Sequence, residues 1–175
     1  MDNIQKAINL QIRLIEGGKE TMNIFNDEEL SVGLLEHSGY GIVVTDTQGK
    51  VEWVNDLFVS MCGYSIDEII GKKPGALLQG PLTDSAVVKR MRKAIQEKNS
   101  CSVEILNYHK DGDAYWVAID LIPLRDKAGK FKNFVALEKE ITSRKIAELE
   151  KEKTIVELYS ALLHHANFED EVSVK

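Results

Sequence analysis

The residues best suited to contact a small molecule are concentrated in the stretch GKKPGALLQGP, residues 71–81. It contains three glycines, two of the chain's three prolines, two lysines and a glutamine. Its glycine spacing matches neither GxGxxG nor GxxxxGK[ST], the two patterns that place backbone amides around nucleotide phosphates. The stretch therefore predicts a loop that forms the wall of a binding pocket, without phosphate-transfer chemistry.

The other reactive side chains form no catalytic or metal-binding pattern. Cys62 and Cys101 are far apart, form no CxxC pair and have no histidine at ligand spacing, so we expect two free thiols and no metal site. His164 and His165 lie on a helical stretch, but Ala166 follows where a phospho-acceptor histidine of a sensor kinase usually has an acidic residue. With no Ser-His-Asp order either, the sequence predicts that the chain is not an enzyme.

The composition and charge of the chain limit which other classes of protein it can belong to. The 175 residues suffice for one domain with appendages, and 43% of them are hydrophobic. A net charge of −6 disfavours a nucleic-acid surface, which usually needs a basic face. No apolar run approaches the roughly 18 residues of a membrane span, and the N-terminus carries no signal-peptide pattern. We therefore expect a cytoplasmic protein that binds neither membrane nor nucleic acid.

Apolar periodicity predicts an α+β fold. Short turns join the last three predicted strands, which implies a five-stranded antiparallel sheet with helices on one face and a cavity between them. Thr83 or Asp84 is predicted to cap the longest internal helix, and Ser65 with Glu68 matches a capping box. The strand order stays undetermined. The predicted strands are residues 41–45, 51–54, 102–108, 114–124 and 131–141, with helical stretches at 55–70 and 84–97.

Amphipathic helices are predicted at both ends of the domain. Residues 1–33 form an N-terminal helical cap or dimerisation segment, and residues 142–166 form a C-terminal helix followed by a flexible tail at 167–175. Each of these two helices carries a stripe of apolar residues. Such a stripe fits either a coiled-coil seam between two copies or packing on the chain's own domain, and we favour a homodimer. The stripes consist of Ile4, Ile8, Ile12 and Ile15 in the first helix and Leu149, Val156 and Leu163 in the second.

Residues 34–144 resemble the PAS sensor domain. The fold implied by this resemblance is the same α+β sheet, with the domain itself spanning 34–141. Glu140 stands in place of the aspartate of the family's Asp-Ile-Thr exit motif. The matching segments are IVVTD at 42–46, Gly49, VN at 54–55, Phe58, GY at 63–64, EIIG at 68–71, NYHKDG at 107–112 and EIT at 140–142.

Within that family, the chain is most similar to the flavin-binding, blue-light (LOV) branch. The loop of that branch reads approximately Gly-x-Asn-Cys-Arg-Phe-Leu-Gln-Gly-Pro, and residues 78–81, LQGP, match its end. The cysteine, whose sulfur bonds to the flavin, corresponds to Gly75, in a loop one residue longer. Because the adduct needs a thiol, the resemblance excludes that photochemistry here.

The other flavin contacts are partly kept. By position, Gln79 is kept, Arg92 matches an arginine facing the flavin phosphate, and Asn107 matches an asparagine at the ring edge. Val117 replaces a second asparagine, and Glu138 replaces the glutamine that relays the light signal. Heme is disfavoured because the helix at 84–97 has no histidine to serve as axial ligand. The cofactor thus stays open, with non-covalent flavin one option.

The resemblance implies a sensory module that binds a small ligand or cofactor. The state of the ligand would pass from Glu138 through Glu140, Ile141 and Thr142 to the C-terminal helix, and from there to a second subunit or a downstream signalling protein. Two alternatives stay open: a ligand-free protein-interaction or dimerisation module, and a non-covalent flavin sensor of light or redox state.

Overall fold

The computed structural model describes residues 38–126 and 128–172, with side chains described through residue 160. The predicted N-terminal cap, residues 1–33, therefore lies outside the described residues. The chain divides into two compact units between Glu140 and Ile141. The elements are β1 (Gly41–Thr45), β2 (Val51–Val54), α1 (Asp56–Cys62), α2 (Ile66–Ile69), α3 (Pro74–Leu78), α4 (Ser85–Glu97), β3 (Cys101–Tyr108), β4 (Ala114–Arg125), β5 (Phe131–Glu140) and α5 (Thr142–Val172).

The five strands form one antiparallel sheet in the order β2-β1-β5-β4-β3. The first and last strands of the domain thus lie side by side at the centre, where Gly41 of β1 is the register partner of Glu138 of β5. This confirms the predicted fold class, and it supplies the strand order that periodicity left undetermined.

Helices α1 to α4 pack on one face of the sheet, which we call the inner face. The side chains that point there alternate along each strand, as a half-buried pleated strand requires. The core between sheet and helices is built from Val43, Val103, Ile105, Val117, Ile119, Leu121, Phe134 and Ala136 of the strands and Phe58, Met61, Ile69, Leu78 and Val88 of the helices.

Asn55 joins the first hairpin to helix α1. Its side-chain oxygen accepts from the backbone N–H of Ile42 at 2.8 Å and, as the N-cap of α1, from that of Phe58 at 3.1 Å. Its amide donates to the carbonyl of Tyr40 at 2.9 Å. Because the side chain is 1% exposed, these bonds are shielded from water and fix the angle at which the helix leaves the strand.

Local signals correctly placed two further helix starts. Asp84 is the N-cap of α4 and accepts from the backbone of Ala86 at 2.7 Å. Ser65 and Glu68 form the predicted capping box at α2. These starts were predictable because a cap depends on residues within one turn of the helix.

Two predictions differ from the observed elements. The stretch at 71–81 is not all loop: Pro74–Leu78 is a short helix, which begins at Pro74 because proline at the first helical position has its φ preset and needs no N–H partner. Helix α5 continues to Val172, so residues 167–172 are helical instead of belonging to a flexible tail. No glycine or proline interrupts that stretch.

Within the described ranges, no helix combines the length and apolarity needed to cross a membrane.

Candidate functional site

Three predicted site residues meet on the inner face of the sheet. Asn107, Val117 and Glu138 come from the neighbouring strands β3, β4 and β5, and all three are buried, with exposed fractions of 4%, 0% and 3%. Ile119 of β4 is the register partner of Glu138, which places the carboxyl among apolar neighbours. The strand order brings together three positions that span 32 residues of the sequence, from Asn107 to Glu138.

Two residues not singled out from the sequence belong to the same region. Tyr115 lies directly across from Asn107 in the β3–β4 register and is 1% exposed. Its ring stacks on His109, with centroids 4.2 Å apart and planes at 27°. Cys62 is fully buried at the end of α1, and its backbone carbonyl accepts from Lys110 at 3.1 Å.

The titratable groups of this region influence one another. Burial raises the pKa of the Cys62 thiol, and the nearby Glu138 carboxyl adds to that rise. Burial, then Glu138 and Cys62, raise the pKa of Tyr115 far above its ordinary value, against a smaller opposing effect of the Asn107 amide. We call Cys62, Asn107, Tyr115 and Glu138 the interior polar cluster.

Desolvation alone raises the pKa of Glu138 from 4.5 to about 8. The carboxyl is therefore mostly protonated at neutral pH. A neutral carboxylic acid has one donor group, its O–H, and one carbonyl acceptor, as a glutamine amide has its NH2 group and its carbonyl, whereas a carboxylate offers acceptors only. Near pH 7, Glu138 can thus form the same pattern of hydrogen bonds as the glutamine it replaces in the LOV pattern.

Two polar atoms of the cluster lack a hydrogen-bond partner. Among the described residues, Oη of Tyr115 and Oε2 of Glu138 are the buried side-chain oxygen or nitrogen atoms with none in hydrogen-bond geometry, although the Asn107 amide lies near enough to Tyr115 to lower its pKa. An unpaired buried group costs about 1–3 kcal/mol, so such atoms are rare in native structures and call for an explanation. Both belong to the inner face, where the resemblance implies a ligand.

The end of the loop is fastened to strand β3. The Thr83 hydroxyl donates to the carbonyl of Leu106 at 2.7 Å and accepts from the backbone N–H of Gly80 at 2.9 Å. The N–H of Leu82 donates to the Tyr108 hydroxyl at 3.0 Å. The Tyr108 ring lies so close to Gly80 that a side chain at that position would collide with it. The LQGP segment is thus held in place by the sheet.

Gly75 and Gln79 lie at opposite ends of helix α3. The Gln79 side chain folds back over Gly75, and its Nε2 lies 2.7 Å from the position a Cβ of residue 75 would occupy. Gly75, which the resemblance aligns with the LOV cysteine, therefore has an amide over the position that a side chain would occupy. Arg92, the predicted phosphate contact, is exposed on α4.

The predicted relay and seam residues lie beyond the cluster. Strand β5 ends at Glu140 and α5 begins at Thr142, so the exit motif is the junction of the two compact units. Leu149 and Val156 are 63% and 67% exposed on α5, whereas the side chain of Leu163 lies outside the described part.

Sequence reasoning missed Tyr115 and Cys62 for different reasons. Tyr115 continues the alternation of Val117, Ile119 and Leu121 by one step, so the pattern already placed it on the inner face. Cys62 could not be found in this way, because only the tertiary fold brings it near Glu138, 76 residues later in the sequence.

Residues 39–143 match the family model described as PAS domain, so the chain belongs to the PAS-domain family. This span covers the whole sheet and agrees with the family resemblance of the sequence. The match confirms the predicted PAS domain.

Curated relatives share this region. The chain is 29% identical to the bacterioopsin transcriptional activator of Halobacterium salinarum over 74% of this chain and 19% of that protein. It is 36% identical to a blue-light-activated histidine kinase of Brucella anthropi over 58% and 21% of the two chains. It is 40% identical to Protein TWIN LOV 1 of Arabidopsis thaliana over 50% and 22%. The chain thus spans about a fifth of the length of these relatives.

Solved LOV domains have the same fold. The light-state structure of the blue-light photoreceptor Aureochrome1 LOV has a TM-score of 0.59 and 30% identity, over 70% of this chain and 98% of that one. The LOV domain of the Erythrobacter litoralis blue-light activated histidine kinase has a TM-score of 0.55 and 29% identity, over 59% and 96%.

The part of the chain that the structure describes contains no group of three or more His, Cys, Asp or Glu residues able to hold a metal ion. His109, whose ring packs on Tyr115, lies at the end of β3. That the chain lacks catalytic activity of its own stays a prediction.

Proposed function

We propose that this PAS domain is a sensor that binds a small ligand against the inner face of its sheet and relays the state of that ligand to helix α5. The observation that carries the proposal is the pair of buried atoms without partners, Tyr115 Oη and Glu138 Oε2. A ligand with a polar edge would supply the missing hydrogen bonds and recover free energy that the unliganded domain loses.

The chemistry of the cluster favours an uncharged ligand. With its carboxyl protonated at neutral pH, Glu138 can donate one hydrogen bond and accept another. An anionic ligand would enter an interior that already disfavours negative charge on Cys62, Tyr115 and Glu138. We therefore expect a small, flat molecule with carbonyl or ring N–H groups along one edge.

A flavin held without a covalent bond meets these requirements in part. Asn107, Tyr115 and Glu138 would face its polar edge, while Val117 offers no hydrogen bond. When bound, a flavin would supply absorption of blue light and redox chemistry. Adduct chemistry does not fit, because Gly75 has no thiol and the Gln79 side chain covers its place.

The first experiment is to denature the purified full chain and identify any released small molecule by absorption and mass spectrometry, with titration of FMN into the chain in parallel. The expected result is one released compound, or saturable binding of FMN, and weaker binding in Tyr115→Phe and Glu138→Leu. The substitution Glu152→Gln, of an exposed residue on α5, serves as control. A colourless preparation that neither releases a compound nor binds FMN would contradict the ligand proposal.

A ligand-free interaction module is the second candidate, and the filled interior favours it. Val117, Phe58 and Leu78 pack in one continuous core between sheet and helices. Tyr115→Phe separates the two candidates in the purified protein. If the hydroxyl is unpaired because nothing binds, its removal stabilises the fold by about 1 kcal/mol or more; if a ligand pairs with it, removal lowers stability in the presence of that ligand.

The relay is proposed to run through a dimer of α5. The helix spans 31 residues, and its large apolar side chains are exposed as far as residue 160, where the described side chains end. A second copy is the natural partner, because the heptad of Leu149, Val156 and Leu163 would meet itself across a two-fold axis. These exposed residues, from Ile146 onward, are Ile146, Leu149, Ile155, Val156, Leu158 and Tyr159.

Disulfide trapping tests the dimer. Leu149→Cys and Val156→Cys, each in a Cys101→Ser background, are expected to cross-link between chains under mild oxidation. Lys151→Cys, about 200° around the helix from Leu149, is the matched control and should cross-link less. Equal cross-linking at all three positions, or none, would rule out a defined seam.

A further inference from the structure

We infer that the β3–β4 turn, residues 109–113, is the gate through which the ligand of the proposed function reaches the interior polar cluster, an inference that rests on that function. Lys110 holds the gate shut. In the closed structure all four residues of the cluster, Cys62, Asn107, Tyr115 and Glu138, are exposed by 4% or less. A ligand can therefore reach them only when an element that covers them moves away.

The turn lies directly over part of the cluster. His109, its first residue, stacks a half-buried ring on Tyr115, with the ring centroids 4.2 Å apart. The next residue, Lys110, donates its backbone N–H to the carbonyl of Cys62 at 3.1 Å. The turn thus contacts two of the four cluster residues, one on β4 and one at the end of α1. Movement of the turn away from α1 would uncover both.

Hydrogen bonds within the turn allow it to move as one unit. The backbone N–H of His109 donates to the carbonyl of Asp113 at 2.8 Å, and the N–H of Gly112 donates to the carbonyl of His109 at 3.0 Å. The N–H of Asp113 donates to the side chain of Asp111 at 3.2 Å. Because both partners of each bond belong to the turn, these bonds can persist while the turn swings, and only its ties to the helices must break.

Lys110 ties the turn to the helical layer by contacts that solvent reaches. Its ammonium lies 2.6 and 2.8 Å from the two carboxylate oxygens of Glu68 on α2, and 6.0 Å from the centre of the Tyr64 ring. The side chains of Lys110 and Glu68 are 50% and 40% exposed. Water and salt weaken an ion pair of this kind, so it can break without loss of the fold.

The LQGP segment, the other candidate for an entrance, is fastened by contacts of a different kind. The Thr83 hydroxyl bonds to the backbones of Leu106 and Gly80, and both bonds are half-buried. The Tyr108 ring fills the space beside Gly80. Because these bonds join neutral groups, salt does not screen them. The Lys110 side of the cluster is therefore the one that opens more readily.

The Cys62 thiol reports on the gate from the inside. In a Cys101→Ser background it is the only thiol of the chain, and it is fully buried. Dithiodipyridine, a small, flat and uncharged reagent, reacts with it only when the thiol becomes accessible, and the reaction is followed by absorbance. Its rate in the full chain therefore measures how often a molecule of that size reaches the cluster.

Breaking the tie is expected to speed this reaction. Lys110→Met and Glu68→Gln should each raise the rate about two- to fivefold, and added salt should raise it in the parent chain but not in Lys110→Met. Lys93→Met, which removes the exposed pair with Glu97 on α4, is the matched control and should leave the rate unchanged. If Lys110→Met fails to fold, Glu68→Gln and the salt series give the same test.

Urea separates opening of the gate from global unfolding. Opening of one turn exposes little surface, so the rate should stay nearly constant at low urea, whereas access by global unfolding rises steeply with urea. A steep rise from the first addition of urea in every variant would overturn the gate, as would an unchanged rate in both Lys110→Met and Glu68→Gln. An acceleration in Thr83→Val that equals or exceeds the one in Lys110→Met would overturn it in favour of entry beside the LQGP segment.

The labelling experiment needs no bound ligand, so its result is independent of the proposed function. The expected rates in a chain that releases no compound and binds no FMN would support the gate and contradict the ligand. Saturable binding of FMN, with labelling rates that Lys110→Met and Glu68→Gln leave unchanged, would support the ligand and refute the gate.

Discussion

The protonation of Glu138 yields the sharpest prediction about this domain. Glu138→Gln keeps the size of the side chain and the pattern of one donor and one acceptor that the neutral acid offers, but it cannot ionise. The substitution therefore removes the titration and little else. We expect it to stabilise the domain at alkaline pH and to leave stability nearly unchanged in mild acid.

The sign follows from the two protonation states. The folded domain keeps its proton up to about pH 8, whereas the unfolded chain releases it near 4.5. Between these values the folded state binds more protons, so stability is full below pH 4.5 and falls as pH rises to about 8. At about 1.4 kcal/mol per pH unit, the wild type loses roughly 3 kcal/mol between about pH 5.5 and 7.5 that Glu138→Gln does not.

Urea unfolding, followed by far-UV circular dichroism at pH 5.5, 6.5, 7.5 and 8.5 on the full chain, measures this difference directly. Comparing the two proteins at each pH cancels the titration of all other groups. Glu140→Gln, an exposed carboxyl two residues along the same strand, is the control and should run parallel to the wild type. A difference between wild type and Glu138→Gln that does not change with pH would refute a buried neutral acid.

Other positions give separate tests by the same unfolding assay. Asn55→Ala removes the partner of two buried backbone N–H groups and one half-buried carbonyl, and it should cost about 2–4 kcal/mol; a loss below about 1 kcal/mol would show that these bonds are replaced by water. Gly80→Ala places a methyl group against the Tyr108 ring and should cost about 1–3 kcal/mol, whereas Gly75→Ala displaces only a flexible side-chain end and should cost less. The hydrogen bond from the Lys110 ammonium is the largest cause of the lowered pKa of Glu68, about 2 instead of 4.5, and hydrogen bonds from Ser65 follow. Stability from this carboxylate is present above pH 4.5 and is lost as pH falls toward 2; an unchanged acid slope in Glu68→Gln would contradict it.

The sequence by itself determined the local elements and the family. Alternation along residues 114–124 predicts β4 nearly to its last residue, and the caps at Ser65 and Asp84 predict where α2 and α4 begin. Each of these signals depends on residues within a few positions of one another, and that is why periodicity and capping rules suffice.

The sequence predicted a loop over residues 71–81, and the structure corrects this in two respects. Pro74 begins a helix by a local rule that a glycine-rich composition concealed. The cover that Gln79 places over Gly75 is a contact across one turn of that helix, which a comparison of residue types cannot reveal. The sequence has a glycine at position 75, and the structure shows the Gln79 side chain folded over it.

Only the tertiary structure decided the chemistry of Glu138. A glutamate at this position is charged or neutral according to its solvent exposure. Cys62 from α1 and Tyr115 from β4 lie near enough to Glu138 to interact with it electrostatically, and Gly41 from β1 is its register partner. The strand order that places β5 between β1 and β4 brings these residues together from distant parts of the chain. Since desolvation depends on every neighbour at once, no local pattern in the sequence encodes it.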